Sequence, residues 1–265
     1  MKEFVTIEKI DGYARLKLNQ PEKANAYNAE MAKALWDAVR QLRWDDEVGA
    51  VLLEAEGPLF SGGGDLVTFQ QGIDNNTITD AMEELSATLN TTVLAIRRME
   101  KVFVSLIDGV CAGAGLGLAL SADISLATEN ALFVAGYIGI AAVPDGGSSF
   151  AVIEALGKPR AADFFLTNGR ISGEEAAKIG LVSRFVKSDE AENSAVKLVE
   201  SLVRGPRRSQ AATKDILAKM PGLSLAEYVE AERQGIIKAS TTADFRAGVG
   251  AFLKKEAPIF NQEQI

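Results

Sequence analysis

Two glycine-rich segments constrain this chain more than any other feature: Phe60-Ser-Gly-Gly-Gly-Asp65 and Asp108-Gly-Val-Cys-Ala-Gly-Ala-Gly-Leu-Gly-Leu-Ala119. Each follows a short apolar run of strand length and leads into a helical pattern. Glycine tolerates positive φ and lets a backbone approach a neighbour or a ligand closely. At a helix N-terminus such a run can aim free N–H groups at negative charge; tight helix–sheet packing is the alternative use. Neither segment is a nucleotide loop. Gly113-Ala-Gly115-Leu-Gly117 is GxGxG rather than GxGxxG, residues 108–112 separate it from its strand, and Gly157-Lys158 is followed by Pro159, so no GxxxxGK[ST] loop exists.

The rest of the pattern supplies the frame. Phe4–Ile10 and Tyr13–Leu18 alternate apolar and polar residues around Asp11-Gly12, a hairpin signal. Residues 28–44 carry Met31, Leu35, Ala38, Val39 and Leu42 at helical spacing. Gly49–Glu54, Val102–Ile107 and Ile124–Ala127 read as buried strands, and Thr79–Met99 as a helix. From Ser172 onward the pattern is helical over 172–179, 189–203, 207–219, 224–238 and 242–254. An α/β core to about residue 200 followed by an α-helical region over 201–265 is the predicted organisation.

Composition removes whole classes of chemistry. The chain has no histidine, which excludes Ser-His and Cys-His nucleophile pairs, the zinc-binding His-Glu helix and imidazole as general base. Asp, Glu, Lys, Tyr, Cys or backbone dipoles must carry any reaction. A net charge of −8, from 28 basic and 36 acidic residues, disfavours nucleic-acid binding, and no helix shows a comb of lysines. The single Cys111 cannot form an internal disulfide and fits a reducing compartment. No apolar run reaches the roughly 18 residues of a membrane helix. Met1-Lys-Glu-Phe-Val carries no signal-peptide core and Asn261–Ile265 no receptor-read address, so a cytoplasmic location is expected.

The two glycine segments resemble the oxyanion-hole segments of the enoyl-CoA hydratase/isomerase (crotonase) superfamily. The resemblance continues through Pro144-Asp-Gly-Gly-Ser-Ser149, Leu166-Thr-Asn-Gly-Arg-Ile171, Glu174–Val182 and Asp244–Phe252 with Pro258, in order over nearly the whole chain. It implies a spiral of ββα units capped by C-terminal helices that form a homotrimer, often paired into a hexamer. It also implies an acyl-CoA thioester substrate with coenzyme A as its only cofactor-like part, and neither metal nor nucleic acid nor membrane as partner. The thioester carbonyl would be held by the backbone N–H groups of Gly64 and Ala114. Lys23, Ala24, Ala26, Gly62, Asp65, Leu66, Phe252 and Lys255 fall at positions that resemble those meeting coenzyme A, although surface lysines are usually uncommitted.

Hydratases of this superfamily resemble one another in having two glutamates that position a water. Here those positions fall on Gly117 and Tyr137, so hydration is not expected. Asp145, eight residues after Tyr137, occupies the place at which several isomerases of the family carry their single acid. One carboxylate is sufficient to take a proton from C2 and return it at C4. The resemblance thus points to an enoyl-CoA isomerase, with another thioester reaction or a noncatalytic acyl-CoA binder as alternatives. The local alternative for Asp145 is a helix cap in a Pro-Asp-Gly-Gly turn. Tyr137 either bonds the substrate or fills the space of the absent glutamate, Glu83 and Glu84 are candidate helpers, and Cys111 reads as core. Ile138, Ile140, Val143 and Phe150 are expected to line an apolar pocket around Asp145.

Overall fold

Asp11 and Gly12 adopt positive φ of 39° and 88°, a two-residue turn whose twist matches that of paired strands. Strand β1 (Val5–Ile10) therefore folds back on β2 (Tyr13–Leu18) in antiparallel register, Ile10 opposite Tyr13. This computed structural model describes residues 3–262. Helix α1 (Ala29–Arg43) starts where the Asn28 side chain accepts from the Met31 N–H, and it buries Met31, Leu35, Ala38, Val39 and Leu42 along one face.

Three similar turns of chain follow. The first is β3 (Ala50–Ala55) and β4 (Leu59–Ser61), then α2 (Leu66–Asp74) and α3 (Ile78–Arg98). The second is β5 (Val102–Ile107), β6 (Val110–Ala112) and α4 (Ala114–Ala119). The third is β7 (Ile124–Ala127), β8 (Leu132–Val134) and α5 (Ser148–Leu166), bent at Gly157 (φ 74°) just before Pro159. β3, β5 and β7 are parallel neighbours in one sheet, and β4, β6 and β8 in another. β9 (Arg170–Ser172) closes the smaller sheet antiparallel to β8, and after α6 (Gly173–Ile179) the short β10 (Arg184–Phe185) adds to the larger one. The orders β1-β2-β3-β5-β7-β10 and β4-β6-β8-β9 describe the spiral of ββα units that the resemblance implied.

The larger sheet is covered on both faces, which is why its central strands read as continuous apolar runs. Val51, Leu53, Phe103 and Ile107 pack into one core with α1 and α3, while the alternate residues Ala50, Leu52, Val104 and Leu106 pack against α7 (Ala191–Arg204). Helix α7 runs across residue 200, and its Ala195, Val199, Leu202 and Val203 belong to that second core. Next, α8 (Arg207–Lys219) is tied down by Lys214. Its Nζ lies 2.8 Å from Asp123 Oδ2 and donates to the carbonyls of Ile96 and Lys101 at 2.9 and 3.1 Å. A cavity of about 560 Å³ opens beside this ion pair, lined by Arg97, Ser209, Gln210 and Leu217 among others. Helices α9 (Leu225–Ser240) and α10 (Ala243–Lys254) bury none of their own residues, and Leu225 and Phe252 are 78% and 82% exposed.

The sequence pattern missed α2, which buries only Gly72 and so shows no apolar stripe. It also assigned no strand to β4, β6, β8 or β9, because three residues are too few for a period to show. Among the described residues no helix is long and apolar enough to cross a membrane.

Candidate active site

β4 and β6 are parallel neighbours, with Ser61 paired to Cys111, so the two glycine segments leave the same end of the smaller sheet about one strand spacing apart. They touch: a Cβ on Gly63 would lie 2.9 Å from the Ala112 carbonyl oxygen, and one on Gly113 would lie 3.6 Å from Gly63 Cα. Positive φ at Gly63 (88°) and Gly113 (51°) turns both chains there. Gly64 and Ala114 come next on each side. Among the described residues neither N–H donates to a protein acceptor, since the neighbouring bonds use Gly63, Asp65, Gly113 and Leu116 instead. Ala114 is the first residue of α4, where helical N–H groups have no intrahelical partner. Two free donors at adjacent strand ends can hold an oxygen that gains negative charge.

The segment before α1 braces this arrangement. Gly62 N–H donates to Ala24 O at 2.8 Å, Tyr27 N–H to Gly63 O at 2.7 Å, and Asp65 N–H to Tyr27 O at 3.1 Å. Lys23, Ala24, Ala26, Gly62, Asp65 and Leu66 are therefore brought together in one ridge, with Lys23 and Leu66 exposed. The Asp65 carboxylate is engaged in structure: it caps α2 through the N–H groups of Val67 and Thr68 and accepts from Asn28 Nδ2. The Phe69 ring, one turn into α2, lies where a Gly64 side chain would have to go, so any side chain at 64 would displace that ring. Phe252 and Lys255 end α10, which packs on α9 and beside Phe260; within one chain no described contact joins them to the ridge.

Asp145 stands on a reversal made by Gly146 (φ 56°) and Gly147 (φ 74°). The turn is wedged between helices: a Cβ on Gly146 would meet Leu89 of α3 at 2.5 Å, and the Gly146 carbonyl oxygen closes against Gly117 of α4. The Asp145 carbonyl accepts from the Ser148 N–H at 3.0 Å. The helix-cap expectation fails, because α5 begins at Ser148 behind Gly147 with no side-chain cap. The carboxylate instead accepts from the Tyr137 hydroxyl, Oη to Oδ1 3.0 Å, and Tyr137 Oη lies 3.1 Å from Ser148 Oγ. Among the described residues no other residue hydrogen-bonds Oδ2. Burial pushes the Asp145 carboxyl above its ordinary range, opposed by the Tyr137 hydrogen bond. Burial, and then the Asp145 charge, hold the Tyr137 hydroxyl far above the usual phenol range, so it remains a donor.

Ile138, Ile140, Val143 and Phe150 do not enclose Asp145: they are 46%, 49%, 76% and 47% exposed. A 3₁₀ turn over Ile138–Ile140 with left-handed Ala141 carries the chain along the surface, and Phe150 lies under the Arg97 guanidinium. Asp145 loses water instead through the wedged turn and the buried Tyr137. A second buried phenol escaped the sequence reading altogether. Tyr27 is 6% exposed, and among the described residues its hydroxyl has no hydrogen-bond partner. Burial and the Asp145 charge both push that hydroxyl above its ordinary range. Glu83 and Glu84 are exposed on α3. Cys111 is fully buried in β6, and burial raises its thiol far out of the reactive range. Position 117 has no space for a glutamate, or for any Cβ, beneath the Gly146 carbonyl.

Comparison with known proteins adds independent support to this architecture. A 1,2-epoxyphenylacetyl-CoA isomerase of Escherichia coli is 29% identical over 98% of this chain and 99% of its own. A trans-2-decenoyl-acyl-carrier-protein isomerase of Streptococcus mutans is 29% identical over 94% of this chain and 95% of its own. The crystal structure of an enoyl-CoA hydratase from Polaromonas sp. JS666 superposes with a TM-score of 0.92 at 25% identity, covering 97% of this chain and 99% of that one. The sequence profile of the enoyl-CoA hydratase/isomerase family matches residues 8–263, and with one unbroken match from the first hairpin to the tail, the chain belongs to that family, the crotonase superfamily.

Proposed function

We propose that this protein moves a carbon–carbon double bond in an acyl-CoA thioester from C3 to C2. Asp145, ionised at the start, takes a proton from C2 of a 3-enoyl thioester. The electron pair spreads through the double bond onto the thioester oxygen, where the Gly64 and Ala114 N–H groups receive it. Asp145 then returns the proton at C4, giving the conjugated 2-enoyl product with no net gain or loss of atoms. A single backbone donor of this kind typically contributes about 3–4 kcal/mol to lowering the barrier.

The observation that carries the reading is one partly buried carboxylate, raised by desolvation and held by a neutral phenol. The two family glutamate positions offer no second acid, since Gly117 has no room for one and Tyr137 faces Asp145. A carboxyl raised toward neutrality can both accept and return a proton. The ridge from Lys23 to Leu66 is the proposed coenzyme A site. The exposed apolar residues of α9 and α10, such as Leu225, Ile236, Ile237, Val249 and Phe252, support the proposal that residues 201–265 form a trimer, alone or as a dimer of trimers. The reading is tested by turnover of matched 3-enoyl- and 2-enoyl-CoA thioesters. Conjugated product from the first and little 3-hydroxyacyl product from the second are expected; efficient hydration with no isomerisation would overturn it.

A further inference from the structure

The Tyr137 and Ser148 hydroxyls form a chain that ends on one particular oxygen of Asp145. An ionised carboxylate can only accept, and a phenol has a single proton to donate. With Tyr137 Oη 3.0 Å from Asp145 Oδ1, that proton is committed to Oδ1. The 3.1 Å contact between Ser148 Oγ and Tyr137 Oη then has one possible sense, from the serine hydroxyl to the phenol oxygen. The order Ser148 to Tyr137 to Asp145 is imposed by proton count alone.

All three members are held from outside the chain of hydroxyls. Ser148 is fully buried as the first residue of α5, and its N–H is bonded to the Asp145 carbonyl. Tyr137 is 6% exposed, with its ring centroid 6.2 Å from that of Phe165. The Asp145 turn is clamped by Leu89 and Gly117. A buried hydroxyl pair fixed this firmly is more than is needed to fill the volume of a side chain.

We propose that Tyr137 and Ser148 are positioning residues: their relay occupies Oδ1 of Asp145, so that Oδ2 alone exchanges the proton with substrate. The proposal rests on the reading of Asp145 as the acid/base group and names what orients it. The proton moves between C2, Oδ2 and C4 only; the relay hydrogens stay where they are and stabilise the ionised form. Of the titratable groups that bear on Asp145, Tyr137 on the loop after β8 donates to it, while Tyr27 in the segment before α1 feels only its charge. Among the described residues no lysine or arginine acts on Asp145, so the Tyr137 hydrogen bond, ahead of the aspartate's own backbone N–H, is the chief protein influence favouring its charged state.

The test uses Tyr137→Phe, which keeps the ring against Phe165, together with Ser148→Ala and Asp145→Asn. Removing a hydrogen bond to the ionised form raises the base's pKa. The acid limb of kcat against pH should therefore move up by roughly one to two pH units in Tyr137→Phe. Its pH-independent kcat should fall tenfold or more with KM for the thioester little changed, and Ser148→Ala should move both quantities the same way by less. If Tyr137→Phe folds poorly, the Ser148→Ala pH profile decides the matter. Wild-type kcat and pH profile in these variants, with Asp145→Asn inactive, would overturn the relay while leaving Asp145 as the base. An active Asp145→Asn would instead overturn the earlier reading.

Discussion

The two sides of the site are built from different materials. On the glycine-loop side the proposed working groups are the backbone N–H donors of Gly64 and Ala114, each just beyond the end of a strand in the smaller sheet. On the other side they are side chains, Asp145, Tyr137 and Ser148, which sit up to eleven positions apart and meet only because the 145–148 turn doubles back under α3 and α4. The backbone side is indifferent to side-chain chemistry and intolerant of bulk: Phe69 closes over Gly64 and Gly146 closes over position 117. The side-chain side depends on which proton each oxygen carries. One kind of substitution should therefore damage one side and spare the other.

The largest expected effect is on the side-chain half. Asp145→Asn preserves shape and removes the base, so turnover should fall by about 10²–10⁴-fold while thioester affinity holds, as measured by kcat beside a binding titration. In the unmodified protein the desolvated carboxyl titrates above the ordinary aspartate value near 3.9. Because the base must be ionised, activity should be lost on the acid side at a higher pH than a solvated aspartate would give. Ala114→Pro attacks the other half by deleting one N–H. Proline is tolerated at the first position of a helix, so circular dichroism should be unchanged while kcat drops by about 10²–10³-fold. A fully active, folded Ala114→Pro would remove the backbone half from the comparison.

Smaller effects sharpen the contrast between groups that serve structure and groups that serve chemistry. Asp65→Ala removes the cap of α2 and the bond from Asn28, which should lower stability by about 1 kcal/mol in a denaturant titration with only a few-fold loss of turnover. A loss as deep as that of Asp145→Asn would place the Asp65 carboxylate in the chemistry. Tyr27→Phe should act in the opposite sense. It deletes a buried hydroxyl with no partner among the described residues, so the ligand-free protein should gain up to about 1 kcal/mol, read as a higher thermal midpoint. A destabilised Tyr27→Phe would show that its hydroxyl is bonded in solution.

Much of this was legible in the residues themselves. Asp11-Gly12 announces a hairpin because two positive-φ positions in succession fit that turn, and the 3.6-residue period of α1 and α3 survives any tertiary context that buries one face. The glycine segments placed between strand and helix show only that free N–H groups can be presented there; Gly64 and Ala114 themselves were named by the resemblance. Asp145 was found by resemblance, since Pro144-Asp-Gly-Gly reads locally as a cap and turn. Helix α2 was missed because its only strong signal is the Asp65 cap.

The remainder belonged to three-dimensional placement. Periodicity states which side of a helix is apolar, but an irregular stretch such as 137–148 has no period, so nothing local says which side chains turn inward. Ile138, Ile140 and Val143 look like pocket residues by composition and lie at the surface, whereas the polar hydroxyls of Tyr137 and Ser148 go inside. Burial of a hydroxyl is favourable only when a partner is there to receive it. That partner is supplied by contacts between α3, α4 and α5 that are distant in sequence. The hairpin, the longer strands and helices, the glycine loops and the absence of an imidazole base were legible in the amino acids alone; that the Tyr137 hydroxyl bonds Oδ1 of Asp145, with no other described residue on Oδ2, was decided by the packing around it.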